Sequence, residues 1–284
     1  MRLVTDRFGL LWRPAHAAEL LGRLDEIDVV EVIADDWFDR PRAEVRALRT
    51  LATQIPLRIH GVGLGAASTE PVGERRLDAL ARLVGAVEPE AWSEHLAFVR
   101  GGGLEIGHLA APSRRPETID GAVANLRRAA RTVGAAPLVE NAATLVEPPA
   151  STMDEATWTR AVLDGSGCRL LLDLHNLHAN CVNFGGDAAS FVDRVGAGRV
   201  LEVHVAGGRW IGPPDDRRLL DDHLHDVPAP VFDALRSLGE RAPGPLTVIL
   251  ERDDAWPGMD ALLAQLGAAR TALAQGRAAA TVSA

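Results

Sequence analysis

Six His, Asp and Glu residues fall, one each, at the ends of six successive β-rich segments, a set that reads as a multi-metal catalytic site. His60 closes RIHGVGLG, His95 stands in SEHLAF and Glu140 in LVENA. Asp173 follows in LLDLHN, His204 in EVHVAG and Glu251 in ILERD. The chain has 39 acids and 9 histidines in 284 residues. Roughly one position in six therefore carries such a group, and one or two coincidences would mean little. Six in succession form a pattern. Carboxylates gathered at the ends of apolar strands repel one another and lose hydration unless a cation neutralises them.

The loop LLDDHLHD adds Asp221 and His223, whose D-x-H spacing presents a carboxylate and an imidazole to one ion. One ion with open catalytic positions needs only about three or four protein ligands. Eight donors thus predict roughly two or three ions, with carboxylates such as Glu140 bridging. The donors are N and O without thiolate, which suits iron, manganese or zinc. His175, two residues beyond Asp173, is a further candidate ligand, whereas His178 is expected on a helical turn facing elsewhere. Asn141 and Asn176 suit a role in orienting ligands or substrate. Arg13 and Arg252 are candidates for holding a substrate carboxylate bidentately. His16, His108 and His225 have no supporting context. The glycines of HGVGLG let the backbone approach a site closely, but no Lys or Walker spacing follows them.

The segments that must position these residues are short and mostly apolar. They run over Phe8–Trp12, Val29–Ile33, Leu57–His60, Trp92–Leu96, Pro137–Glu140, Arg169–Leu174, Val200–Val205 and Leu246–Glu251. Near-continuous apolar runs of this length suit parallel strands covered on both faces. Helical periodicity fills the intervals: Ala15–Leu24, Pro41–Thr53, Glu74–Val87, Pro116–Val133, Thr152–Leu163 with a Thr152/Glu155 capping box, Asp187–Val195, Pro230–Arg241 and Pro257–Leu273. Eight β/α units in a chain of this length predict a single (β/α)8 TIM barrel over residues 1–276, with residues 277–284 (RAAATVSA) fraying. A doubly wound open sheet is the runner-up, but no GxGxxG follows the first strand. In such barrels catalytic groups sit at the C-terminal strand ends, where the six donors fall.

Composition removes several chemistries. All 30 basic residues are Arg, and there is no Tyr. Schiff-base and pyridoxal phosphate routes need a Lys amine and are closed. A net charge of −9 argues against non-specific nucleic-acid binding. Arg114, Arg115, Arg127, Arg128 and Arg131 are read as a solvated helix face. Cys168 and Cys181 match no CxxC motif and are expected as buried free thiols in a reducing cytoplasm. No apolar run approaches the roughly 20 residues that span a bilayer. The opening MRLVTDRFGLLWRP has no apolar core before a small-residue cleavage site, so no secretory leader is expected.

Taken in order, HGVGLG, SEHLAF, LVEN, LLDLHNLHANCVNFG, EVHVAG, DDH and ERDD resemble the multinuclear non-heme iron-dependent oxidative enzymes, the family that includes the methanobactin-biosynthesis enzyme. The resemblance runs from about Gly9 to Pro257. It implies a xylose-isomerase-like TIM barrel holding two or three iron ions. It also implies O2-dependent oxidation of a residue, often Cys, in a ribosomally made precursor peptide, often with a small peptide-recruiting partner protein. By motif, His60, His95, Glu140, Asp173, His204, Asp221, His223 and Glu251 are the implied iron ligands. His175 stands where many members have Asn. The AGG of Ala206 to Gly208 departs from a frequent AGH. Two other classes compete: a zinc, manganese or magnesium sugar isomerase or endonuclease-type phosphodiesterase, and a non-catalytic barrel serving as a binding scaffold. The absence of Lys weakens the isomerase, the net charge weakens the nuclease, and the filled donor set weakens the scaffold.

Overall fold

The computed structural model describes residues 5–283. Met1 to Val4, where the leader argument begins, and Ala284, the last residue of the expected frayed tail, lie outside the described residues. Eight strands, in the hydrogen-bonded order β1-β12-β9-β8-β7-β4-β3-β2, close into a barrel. They are β1 (Arg7–Leu11), β2 (Val29–Ile33), β3 (Leu57–Gly61), β4 (Ala91–His95), β7 (Leu138–Glu140), β8 (Arg169–Asp173), β9 (Val200–Val205) and β12 (Thr247–Leu250). Each matches an expected segment to within two residues at either end. The expected apolar interiors have exceptions, because Glu31, Arg58, Glu94 and Glu202 are also buried.

By contact density the chain falls into two compact units. One comprises Val29–Ala142 and Pro148–Leu170. Here β2, β3, β4 and β7 pair in parallel, with Ile33 opposite His60, His60 opposite Ser93, and His95 opposite Glu140. The helices α2 (Arg42–Ala52), α3 (Glu74–Val87), α4 (Pro116–Val133) and α5 (Glu155–Ser166) belong to it. Leu77, Leu80, Leu83 and Val87 form the buried stripe of α3; each such side chain contributes about 1.5–3 kcal/mol on burial. The cap of α5 is Asp154, whose carboxylate accepts from Thr157 N at 2.9 Å. The expected Thr152 box does not form, because the Thr152 hydroxyl donates instead to the Arg114 carbonyl. A hairpin, β5 (Phe98–Gly101) and β6 (Leu104–Ala110), follows β4.

The other unit runs up to Asp28 and includes Ala143–Glu147 and the chain from Leu171 onward. In it β1 pairs with β12, and β12 with β9, all parallel. The expected first helix is broken into 3-10 turns around a short α1 (Ala17–Leu21), which stops at Gly22. An additional helix, α6 (Leu174–Phe184), starts at the residue after β8. It is followed by α7 (Ala188–Val195), α8 (Ala229–Arg241) and α9 (Met259–Ser283). The hairpin β10 (Gly208–Ile211) and β11 (Arg218–Asp221) opens the loop after β9, with Gly208 opposite Asp221. Where fraying is expected, α9 continues through Ser283. Its alanines favour helix, and Arg277 ties it down by bonding Asp6 and the Ala242 and Gly244 carbonyls. Cys168 is buried and Cys181 is half-buried on α6, so only the first matches the expected burial. Among the described residues no helix is long and apolar enough to cross a membrane.

Candidate metal centre

In the first-described unit, His60, His95 and Glu140 each offer a donor atom within 4.8 Å of the others. His60 Nε2 lies 3.1 Å and His95 Nε2 3.2 Å from Glu140 Oε2. Register brings this about, since His95 and Glu140 face one another across β4 and β7. The remote nitrogens are anchored. His60 Nδ1 is hydrogen-bonded to Ser93 Oγ at 2.8 Å, and His95 Nδ1 donates to the Gly61 carbonyl at 3.2 Å. Fixing Nδ1 leaves Nε2 aimed and basic, the usual arrangement for a histidine ligand. Sequence reasoning missed Ser93; its register with His60 was the signal that would have found it.

The glycine-rich loop after β3 packs on this set. A side chain at Gly61 would meet Glu94 Oε2 at 2.4 Å, and one at Gly63 would overlap Arg76. Arg76 bonds Asp35 at 2.6 Å, and Asp35 accepts from Val62 N at 2.9 Å. Glu94 accepts from His95 N at 3.1 Å. Burial, and then the charge of Asp35, push the Glu94 carboxyl up to about 8. The glycines therefore serve close packing of this segment against Glu94 of β4 and Arg76 of α3.

In the other unit, Asp173, His204 and Glu251 are buried and offer atoms within 4.8 Å of one another. His204 Nδ1 lies 3.1 Å from Glu251 Oε2. The D-x-H loop joins them. His223 Nε2 is 3.0 Å from Asp221 Oδ2 and 4.0 Å from Asp173 Oδ2, and its Nδ1 is 3.4 Å from Glu251 Oε2. His223 has φ +54, a left-handed conformation rare for a side-chain-bearing residue. Burial opposes charge on His223, but Asp221 and Glu251 outweigh it and hold its pKa well above the usual histidine range. Burial likewise pushes Asp221 up, yet the charge of His223 and hydrogen bonds from His175 and His223 hold it well below the usual carboxylate range.

Asp173 has a second task. Its Oδ1 accepts from Asn176 N at 2.6 Å and caps α6. Thus α6 presents His175 directly beneath the β10–β11 hairpin. His175 is fully buried, and its Nδ1 bonds Asp221 Oδ1 at 2.6 Å. A Cβ at Gly208 would lie 2.5 Å from His175 Cε1 and 2.1 Å from the Leu220 carbonyl. The His175 ring therefore occupies the space that a side chain at 208 would need. Asn183, further along α6, holds Leu219 of β11 through both its backbone groups, at 2.8 and 3.0 Å.

The remaining candidates are dispersed. Arg13 pairs with Asp253. Arg252 is buried and bonds Asp226 at 2.9 Å, leaving Nε and Nη1 without hydrogen-bond partners among the described residues. Asn141 lines a cavity of about 20 Å³ with Leu96 and Trp158, room for a water molecule rather than a substrate. Asn176 is buried on α6. His16 stacks on Trp256 with ring centroids 3.8 Å apart. His178 is half-buried, His108 is exposed on β6, and His225 pairs with Asp222 at 2.9 Å.

The donor chemistry fits a multiply charged metal centre. Asp173 and Glu251 are almost wholly removed from water beside imidazoles, and Glu140 likewise. Buried carboxylates at this density must take up protons or be compensated by cations, and the imidazoles beside them complete a donor set that a cation would fill.

Known proteins resemble the chain in two ways. Among solved structures, an L-ribulose 3-epimerase superposes with a TM-score of 0.63 at 14% identity, covering 99% of this chain and 98% of that one. A D-psicose 3-epimerase from Clostridium cellulolyticum H10 does so at 0.60 and 12%, covering 96% and 99%. A xylose isomerase domain protein from Planctomyces limnophilus gives 0.59 and 15%, covering 96% and 99%. These likenesses establish the barrel type. In sequence, a UPF0276 protein of Streptomyces avermitilis is 36% identical over 272 residues, which is 93% of this chain but 54% of that protein's length. A UPF0276 protein of Bordetella parapertussis is 32% identical, over 95% of this chain and 93% of its own. The model of the family described as "RiPP precursor modification enzyme MbnB/TglH/ChrH" matches residues 7–274.

Proposed function

Because the chain belongs to the RiPP precursor modification enzyme family MbnB/TglH/ChrH, we propose that it is an iron-dependent oxidative enzyme acting on a residue, such as Cys, of a ribosomally made precursor peptide. One observation carries this reading: two largely buried donor sets, all imidazole and carboxylate, stand at the strand ends of a family barrel and on the hairpin beside them. His60, His95 and Glu140 would hold one iron. Asp173, His204, Asp221, His223 and Glu251 would hold one or two more, for roughly two or three in all. Iron bound there supplies the redox chemistry, with O2 as co-substrate.

The chain's own residues orient and shield. Ser93 and the Gly61 carbonyl aim the two imidazoles. His175 orients Asp221 through Nδ1, and its buried Nε2, without a hydrogen-bond partner among the described residues, stands available as a further ligand atom. The free Nε and Nη1 of Arg252 suit a substrate carboxylate. Arg13 reaches a substrate only by leaving Asp253, so it ranks second. A small recruiting partner protein and a cytoplasmic setting complete the proposal.

Purification without oxygen, followed by metal analysis and Mössbauer spectroscopy, tests it. Two or more irons per chain, with O2 consumed in the presence of a precursor peptide encoded by a neighbouring gene, would support it. Fewer than two irons at full loading and no O2 consumption would overturn it. Native zinc or manganese alone, with isomerase turnover, would favour the redox-inactive alternative.

A further inference from the structure

A second feature lies on the helices, away from the strand ends. The 3-10 turn Ala34–Trp37, α2 and α3 enclose a groove of about 560 Å³. Arg40, Arg42, Arg46, Arg49 and Arg82 stand around it, and no acidic side chain lines it. Trp37, Phe38, Val45 and Leu83 supply its apolar surface.

Elsewhere the arginines of this acidic chain are mostly paired, as Arg23, Arg114, Arg128, Arg241 and Arg277 show. At the groove, Arg40 has Glu44 and Arg49 has Glu88. Arg42, Arg46 and Arg82 are exposed, and their guanidinium groups make no hydrogen bond or ion pair among the described residues. Three uncompensated cations around a half-apolar groove, in a chain of net charge −9, reverse the local potential. Arg42 and Arg46 lie one helical turn apart on one face of α2. That spacing matches carboxylates one turn apart on a facing helix.

We propose that this groove docks an acidic amphipathic helix of a separate polypeptide. Two of its carboxylates would meet Arg42 and Arg46, and an apolar side chain would enter beside Trp37, Phe38 and Leu83. A nucleic acid is the poorer fit, since an extended polyanion meets the repulsion of the whole acidic chain. The inference is independent of the metal reading, because no groove residue is among the donors.

Fluorescence anisotropy on the full chain tests it. The probe is a labelled helical peptide with two Glu one turn apart and Leu and Phe on the same face. Binding that weakens with added salt is expected. The double substitution Arg42→Glu, Arg46→Glu should weaken it about tenfold or more, while melting temperature and metal content stay unchanged. Folding is not threatened, since both residues are exposed and Glu at 42, in the first turn of α2, complements the helix dipole. The proposal is overturned by no binding, by equal binding of a peptide with Lys in place of Glu, or by an unaffected double variant. It is also overturned if a single-stranded oligonucleotide displaces the peptide at lower concentration than unlabelled peptide does, which would mark a nucleic-acid site.

Discussion

His175 and Gly208 explain each other: the imidazole fills the space above the glycine and uses Nδ1 to hold Asp221. Removing the ring should free that carboxylate to rotate away from His223. His175→Ala is therefore expected to weaken metal retention by roughly 10–100-fold, the usual effect of losing a group that orients a ligand. Competition with a chelator measures this, and unchanged retention would reduce His175 to core filling. His16 gives a pH prediction. Burial, then the charge of Arg13, lowers its pKa to about 4. A histidine whose folded pKa lies below its unfolded value binds fewer protons when folded, so stability falls as pH drops from about 6.5 towards 4. The loss from this one group reaches on the order of 3 kcal/mol by pH 4. His16→Phe keeps the stack on Trp256, and its denaturation midpoint should fall less than the parent's over that interval. Parallel curves for the two proteins would sink this account.

The hairpin β10–β11 carries Asp221, so its closure is a condition of the site. Gly208→Ala pushes a methyl group against the Leu220 carbonyl and the His175 ring. A cost of about 1–3 kcal/mol is expected from such overpacking, together with loss of the Asp221 position; urea unfolding and metal titration measure the two effects separately. This hairpin was not legible in the sequence. Its strands are four residues each and mostly half-buried or exposed, so neither alternation nor an apolar run marks them. The helix α6 was hidden for a different reason. Its N-cap is Asp173, itself the last residue of β8, so no linker separates strand from helix. The barrel strands were legible because burial on both faces demands continuous apolar runs, as over Leu170–Leu172 of β8. Strand ends were legible to a residue or so, enough to place the six strand-end candidates.

At the scale of the whole chain, the donor sets link metal to stability. If iron binds the native chain alone, holding it at about 100 times its dissociation constant adds about 2.7 kcal/mol. For a chain of this size that is a rise in melting temperature of about 4–5 °C. Chelation should reverse it and iron should restore it, as followed by calorimetry. An indifferent melting curve would count against the donor sets as ion sites. The spacing of acids and histidines at strand ends was legible as a candidate metal site. The groove arginines were not legible, because charge on a helix face looks the same whether or not acids nearby compensate it. The thiol on α6 has a practical consequence. With Cys168 buried and Cys181 half-buried, a maleimide dye will report chiefly from Cys181. Six residues of helix separate it from His175, about 9 Å along the axis. Quenching of such a dye by a paramagnetic ion is a spectroscopic ruler, reading from one side chain whether the nearby donors are filled.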